Sequence, residues 1–103
     1  MTGTNGPDVI VGLGGADQIA GLDGDDIICG GEGNDRIAGG IGNDTIVGGD
    51  GNDDLAAGPG DDVLTGSAGI DRLVGDTGND ILDGGPDADT CVGGAGTNTI
   101  VNC

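Results

Sequence analysis

From Gly3 to Val101 the sequence divides, without an insertion, into eleven units of nine residues. A period kept that strictly restricts the chain to architectures in which each unit repeats the geometry of the one before. The units read GTNGPDVIV, GLGGADQIA, GLDGDDIIC, GGEGNDRIA, GGIGNDTIV, GGDGNDDLA, AGPGDDVLT, GSAGIDRLV, GDTGNDILD, GGPDADTCV and GGAGTNTIV. Position six is Asp in ten of the eleven, namely Asp8, Asp17, Asp26, Asp35, Asp44, Asp53, Asp62, Asp71, Asp80 and Asp89, with Asn98 as the substitute. Position eight is Ile or Leu in ten, with Cys91 the exception, and position four is Gly in ten, with Asp87 the exception. Six residues rich in Gly, Asn and Asp predict a turn, because Gly takes a positive φ at no steric cost and Asn and Asp tolerate the left-handed region. The three that follow predict a short strand whose middle side chain faces one way and whose flanks face the other.

Two units then complete a coil of eighteen residues, so that unit n stacks in parallel on unit n+2. The inward ladders are Ile10, Ile28, Ile46, Leu64, Leu82 and Ile100 on one side, and Ile19, Ile37, Leu55, Leu73 and Cys91 on the other. This is a thin core, one aliphatic per unit, in a chain with no Phe, Tyr or Trp and with 27 Gly whose backbone entropy opposes folding. Nineteen acidic residues face only Arg36 and Arg72, for a formal charge of -17. Composition alone describes a disordered acidic segment. Stacking also brings position-six carboxylates into pairs eighteen residues apart, from Asp8 with Asp26 through Asp71 with Asp89, and finally Asp80 with Asn98. Rows of like charge at that spacing open the coil unless a cation lies among them.

The pattern G-G-x-G-x-D-x-U-x, with U a large aliphatic, resembles the calcium-binding nonapeptide of the RTX (hemolysin-type) family of secreted bacterial toxins, proteases and lipases. The resemblance runs over residues 3–101, and units four to six match at every defined position. It implies an all-β fold, a parallel β-roll or right-handed β-solenoid of about five and a half coils, with residues 102–103 as a C-terminal tail. Departures lie at position two, where Thr4, Leu13, Leu22, Ser67 and Asp76 replace Gly, and in the last two units, at Asp87 and Asn98. Those turns are expected to be the weakest metal sites.

The donor chemistry agrees with calcium, which takes six to eight hard oxygens in flexible geometry, whereas magnesium demands a tighter octahedron and keeps its waters. Zinc and copper lack ligands, since the chain has no His and its three Cys are scattered. The expected ligand set is the ten position-six aspartates with the turn glycines Gly31, Gly33, Gly40, Gly42, Gly49, Gly51, Gly58 and Gly60. Up to about nine calcium ions would nearly cancel the formal charge of -17. Binding and folding are then one process, cooperative because each internal Asp serves the coil above and the coil below. The resemblance implies a chain unfolded where calcium is scarce, inside the cell, and folded outside it.

Other chemistry finds little purchase. With no His, Lys or Tyr and a single Ser, Ser67, no nucleophile has a base, and an enzyme is not expected. The nearest approach to an EF-hand, from Asp50, has Leu55 where Gly is required. The net charge repels nucleic acid and anionic membranes. Asn43-Asp44-Thr45 has the form of a glycosylation sequon, but Asp44 belongs to a tight turn. Repeat one begins at Gly3 and no segment is long or apolar enough to cross a bilayer, so an excised array or a stand-alone module is expected. Cys29 should point outward. Cys91 reads either as a small buried hydrophobe or as a partner of Cys103, the tail folding over the open end of the roll; that bridge would fit an extracytoplasmic home. The outer faces are expected to differ. Odd units send Val9 and Val11, Ile27 and Cys29, Thr45 and Val47, Val63 and Thr65, Ile81 and Asp83, and Thr99 and Val101 outward, a largely apolar strip fit for a second copy or a neighbouring domain, whereas even units send Gln18, Arg36, Asp54 and Arg72 among small residues. Two other uses stay open: an adhesin or ice-binding surface, which needs aligned ranks of Thr, and an acidic disordered spacer.

Overall fold

A computed structural model describes all 103 residues, Met1–Cys103. Each unit contributes one strand: β1 Val9–Val11, β2 Gln18–Ala20, β3 Ile27–Glu32, β4 Arg36–Ala38, β5 Thr45–Asp50, β6 Asp54–Ala56, β7 Val63–Thr65, β8 Arg72–Val74, β9 Ile81–Asp83, β10 Thr90–Val92 and β11 Thr99–Val101. Odd strands form a six-stranded sheet in the order β1-β3-β5-β7-β9-β11, and even strands a five-stranded sheet in the order β10-β8-β6-β4-β2. Every pairing is parallel and joins residues eighteen apart, as in Ile10↔Ile28 and Ile37↔Leu55. The molecule is therefore a parallel β-roll of about five turns, a slab 34 × 33 × 13 Å whose thin dimension is the two sheets face to face.

Nine strands are three residues long, the length that the x-U-x segment allows. β3 and β5 run to six because the glycine-rich turns that follow them continue the ladder through Gly31↔Gly49 and Glu32↔Asp50. The core is the expected pair of ladders, Ile28, Ile46, Leu64 and Leu82 against Ile19, Ile37, Leu55 and Leu73, each at most 3% exposed. Ala57, at position one of its unit, joins them fully buried. The ends depart from expectation for want of a further coil: Ile10 and Cys91 are only partly buried, and Ile100 is 44% exposed.

Cys91 and Cys103 form a disulfide with a Cα–Cα distance of 5.9 Å, which resolves the two readings of Cys91 and leaves Cys29 as the free thiol. The tail is held further by Asn102, whose Nδ2 donates to Asp83 Oδ1 at 2.9 Å. Closing the loop from Cys91 to Cys103 restricts the unfolded chain by about 3 kcal/mol in the chain-entropy account. On the even face Arg72 reaches Asp54 at 3.2 Å, an exposed pair. No helix is long and apolar enough to cross a membrane.

Candidate metal centre

The turn that precedes each strand places its aspartate where one sheet gives way to the other. There the backbone N–H of each position-six residue donates to Oδ1 of the residue eighteen further on: Asp8 to Asp26 at 2.8 Å, Asp26 to Asp44 at 2.9 Å, Asp44 to Asp62 at 2.7 Å and Asp62 to Asp80 at 2.9 Å. The even series runs likewise from Asp17 through Asp35, Asp53 and Asp71 to Asp89. The structure thus brings together every pair that the period predicts, including Asp80 with Asn98 at 2.8 Å. Asp26, Asp35, Asp44, Asp53, Asp62, Asp71 and Asp80 are each at most 3% exposed.

One oxygen of each carboxylate is accounted for in this way and the other is not. Oδ2 of Asp17, Asp26, Asp35, Asp44, Asp53, Asp62, Asp71, Asp80 and Asp89 is buried with no hydrogen-bond partner. A buried, unpaired carboxylate oxygen is among the costliest groups a fold can carry, and nine in register call for a common partner. The surroundings are oxygen-rich. A Cβ added at Gly21 would lie 2.5 Å from both Asp26 Oδ2 and the carbonyl oxygen of Gly39; at Gly66 it would lie 2.5 Å from Asp71 Oδ2 and 2.7 Å from the carbonyl oxygen of Gly84. Carboxylate and carbonyl flank one point at position one, left open by glycine in every unit but the seventh, where Ala57 stands. No three acidic, His or Cys side chains converge anywhere, so a cation held here takes most of its ligands from the backbone. That donor set suits calcium and excludes the softer metals.

The turn glycines Gly31, Gly33, Gly40, Gly42, Gly49, Gly51, Gly58 and Gly60 all have positive φ, from 99° to 137°. A Cβ on any of them would run into the backbone of the equivalent residue one coil earlier, Gly40 into the Leu22 carbonyl and Gly49 into the Gly31 carbonyl. Four of the five substitutions at position two leave the turn unchanged: Leu13, Leu22, Ser67 and Asp76 adopt φ of 75° to 81°. Asp87 takes 83° at position four, and its Oδ2 accepts the Gly69 N–H at 3.1 Å.

A second ladder, missed by the sequence reading, runs along position five. There Oδ1 of Asp25, Asn34, Asn43, Asn52, Asp61 and Asn79 each accepts the N–H of the residue eighteen further on, at 2.8–2.9 Å. The signal was in the column itself, since Asn or Asp recurs there wherever the side chain is an acceptor.

Burial, which disfavours the charged form, pushes Asp53 and Asp62 up to about 6 and raises Asp44 and Asp71 above the ordinary carboxylate value. The hydrogen bond from the preceding coil opposes this, and the stacked carboxylates add to it: Asp71 and Asp35 for Asp53, Asp44 and Asp80 for Asp62.

Fold and turns together define a class, an acidic parallel β-solenoid whose glycine turns carry a row of unpaired carboxylate oxygens. A profile of the RTX calcium-binding nonapeptide repeat, in four copies, matches residues 2–37, 30–64 and 65–100. The chain belongs to that family, a structural calcium-binding repeat and not a family of enzymes. No curated protein and no solved structure matches the chain.

Proposed function

We propose that the chain is a calcium-triggered folding module of a secreted protein and that it carries out no catalysis. The observation that carries this reading is the row of nine buried Oδ2 atoms without partners, from Asp17 to Asp89. Calcium supplies a divalent charge that hard oxygens can share. The residues that would hold it are these aspartates, with carbonyls of the glycine turns around Gly31, Gly33, Gly40, Gly42, Gly49, Gly51, Gly58 and Gly60. Residues 3–101 act as one cooperative unit, because each internal aspartate is tied by its N–H to the next coil and by its Oδ1 to the one before.

Extracellular calcium favours the folded form and its scarcity in the cytoplasm the unfolded one, a logic that the Cys91–Cys103 bridge suits. The apolar outer face of the six-stranded sheet serves as a contact for a second roll or a neighbouring domain. An ice-binding role is disfavoured by register: Thr45 pairs with Val63 and Thr65 with Val47 and Asp83, so no rank of Thr forms.

The test is a calcium titration of two variants. Asp44→Ala removes a carboxylate that stands between those of Asp26 and Asp62 in the row and accepts the Asp26 N–H, and it raises the calcium midpoint and lowers its cooperativity far more than Asp89→Ala near the C-terminal end. Equal effects would count against shared internal sites.

A further inference from the structure

The row of orphan oxygens stops one unit short of each end, for two different local reasons. In units two to eleven the position-two residue has positive φ whatever its side chain, from Leu13 at 75° to Gly94 at 82°; Thr4, in unit one, does not. Its peptide is turned the other way. The Thr4 N–H donates to Asp8 Oδ2 at 2.6 Å, and the Thr4 hydroxyl lies 3.1 Å from both Asp8 oxygens. In unit eleven the aspartate is replaced by Asn98, whose Oδ1 accepts the Asp80 N–H at 2.8 Å as a carboxylate would. Its Nδ2 takes the place that Oδ2 holds elsewhere, 2.6 Å from a Cβ built on Gly93, and donates to the Gly94 carbonyl at 3.2 Å. In the units between, a carboxylate oxygen takes the place of that amide nitrogen, so no proton joins it to the carbonyl and a cation is needed.

We infer that Thr4 and Asn98 are metal-independent plugs that set how many calcium ions the roll takes. This rests on the calcium reading of the internal turns and adds where the sites stop. Each plug supplies a donor from the protein where the internal units require a metal, so the first and last turns close with no calcium bound there. The same logic makes the plug portable: an asparagine at an internal position six keeps the Oδ1 bond and offers its own Nδ2 to the position-two carbonyl.

The experiment measures bound calcium per chain by equilibrium dialysis with atomic absorption, alongside far-ultraviolet circular dichroism at saturating calcium. Asn98→Asp turns the amide donor into an orphan oxygen, and Thr4→Gly frees the position-two peptide of unit one to turn as it does elsewhere. Each variant is expected to bind one ion more than the wild type. Asp53→Asn is expected to bind one ion fewer while keeping the full β spectrum. Asn98→Asp or Thr4→Gly chains that fold in calcium yet bind the wild-type number overturn the inference, as does an Asp53→Asn chain that binds as many ions as the wild type or fails to fold. A wild-type chain that takes up no calcium overturns the reading of the internal turns itself, which separates the two failures.

Discussion

Leu22 holds a φ of 76° at a turn position where Gly40, one coil on, holds 103°. A left-handed conformation costs an L-residue about 1–2 kcal/mol, part of which glycine returns through its greater freedom in the unfolded chain. Leu22→Gly should therefore lower the calcium midpoint for folding, modestly. Gly40→Ala should raise it well beyond that, since its Cβ would meet the Leu22 carbonyl as well as adopt a positive φ. Paired titrations followed by circular dichroism check both; an unchanged Gly40→Ala would contradict the stacked turn. The aspartates bring a pH dependence. Asp53 and Asp62 titrate at about 6 in the roll against 3.8 ordinarily, so the metal-free roll binds protons more tightly than the unfolded chain. That stabilisation is complete below the ordinary value and is lost as pH rises through about 6. Calcium-free chain should therefore gain β structure on acidification from neutral pH through about 6, which far-ultraviolet circular dichroism measures. A calcium-free spectrum that does not change on acidification would count against burial of these carboxylates.

The strands were legible in the sequence because two periods agree. A nine-residue unit with one aliphatic fixes both the ladder and its direction, and pairing at eighteen places Ile28 on Ile46 and Leu55 on Leu73 without ambiguity. The aspartate pairs follow from the same register. What could not be read depends on which way a turn peptide points, a matter of φ and not of composition: the extension of β3 and β5, and the reversal at Thr4. Burial at the ends was misjudged at Ile100 because a ladder drawn from sequence has no last coil. Exposed apolar side chains gather on the six-stranded sheet, although Val92 of the five-stranded sheet is also 48% exposed. Val9 at 74%, Ile27 at 51% and Ile81 at 48% exposed line one column of the six-stranded sheet, with Thr45 and Val63 between the last two. If that column is a contact, Ile27→Lys with Val63→Lys should leave calcium-induced folding nearly intact and abolish self-association measured by sedimentation in calcium. A wild-type roll that stays monomeric at high concentration would rule out the homodimer form.

At the scale of the whole molecule, nineteen acidic residues and a core of nine buried apolar side chains pull in opposite directions. A chain of this composition resists collapse in plain water. On the proposed reading, folding is conditional on cations that cancel the charge and satisfy the Oδ2 row, and the choice of cation discriminates. Calcium accommodates many carbonyl ligands in irregular geometry; magnesium, reluctant to shed water, does not. The most direct measurement is far-ultraviolet circular dichroism of the disulfide-intact chain at neutral pH, titrated in parallel with calcium and with magnesium. The account predicts a disordered spectrum without metal, a cooperative rise to a β spectrum in calcium, and little change at the same concentration of magnesium. A full β spectrum in the absence of calcium, or an equal one in magnesium, would contradict it.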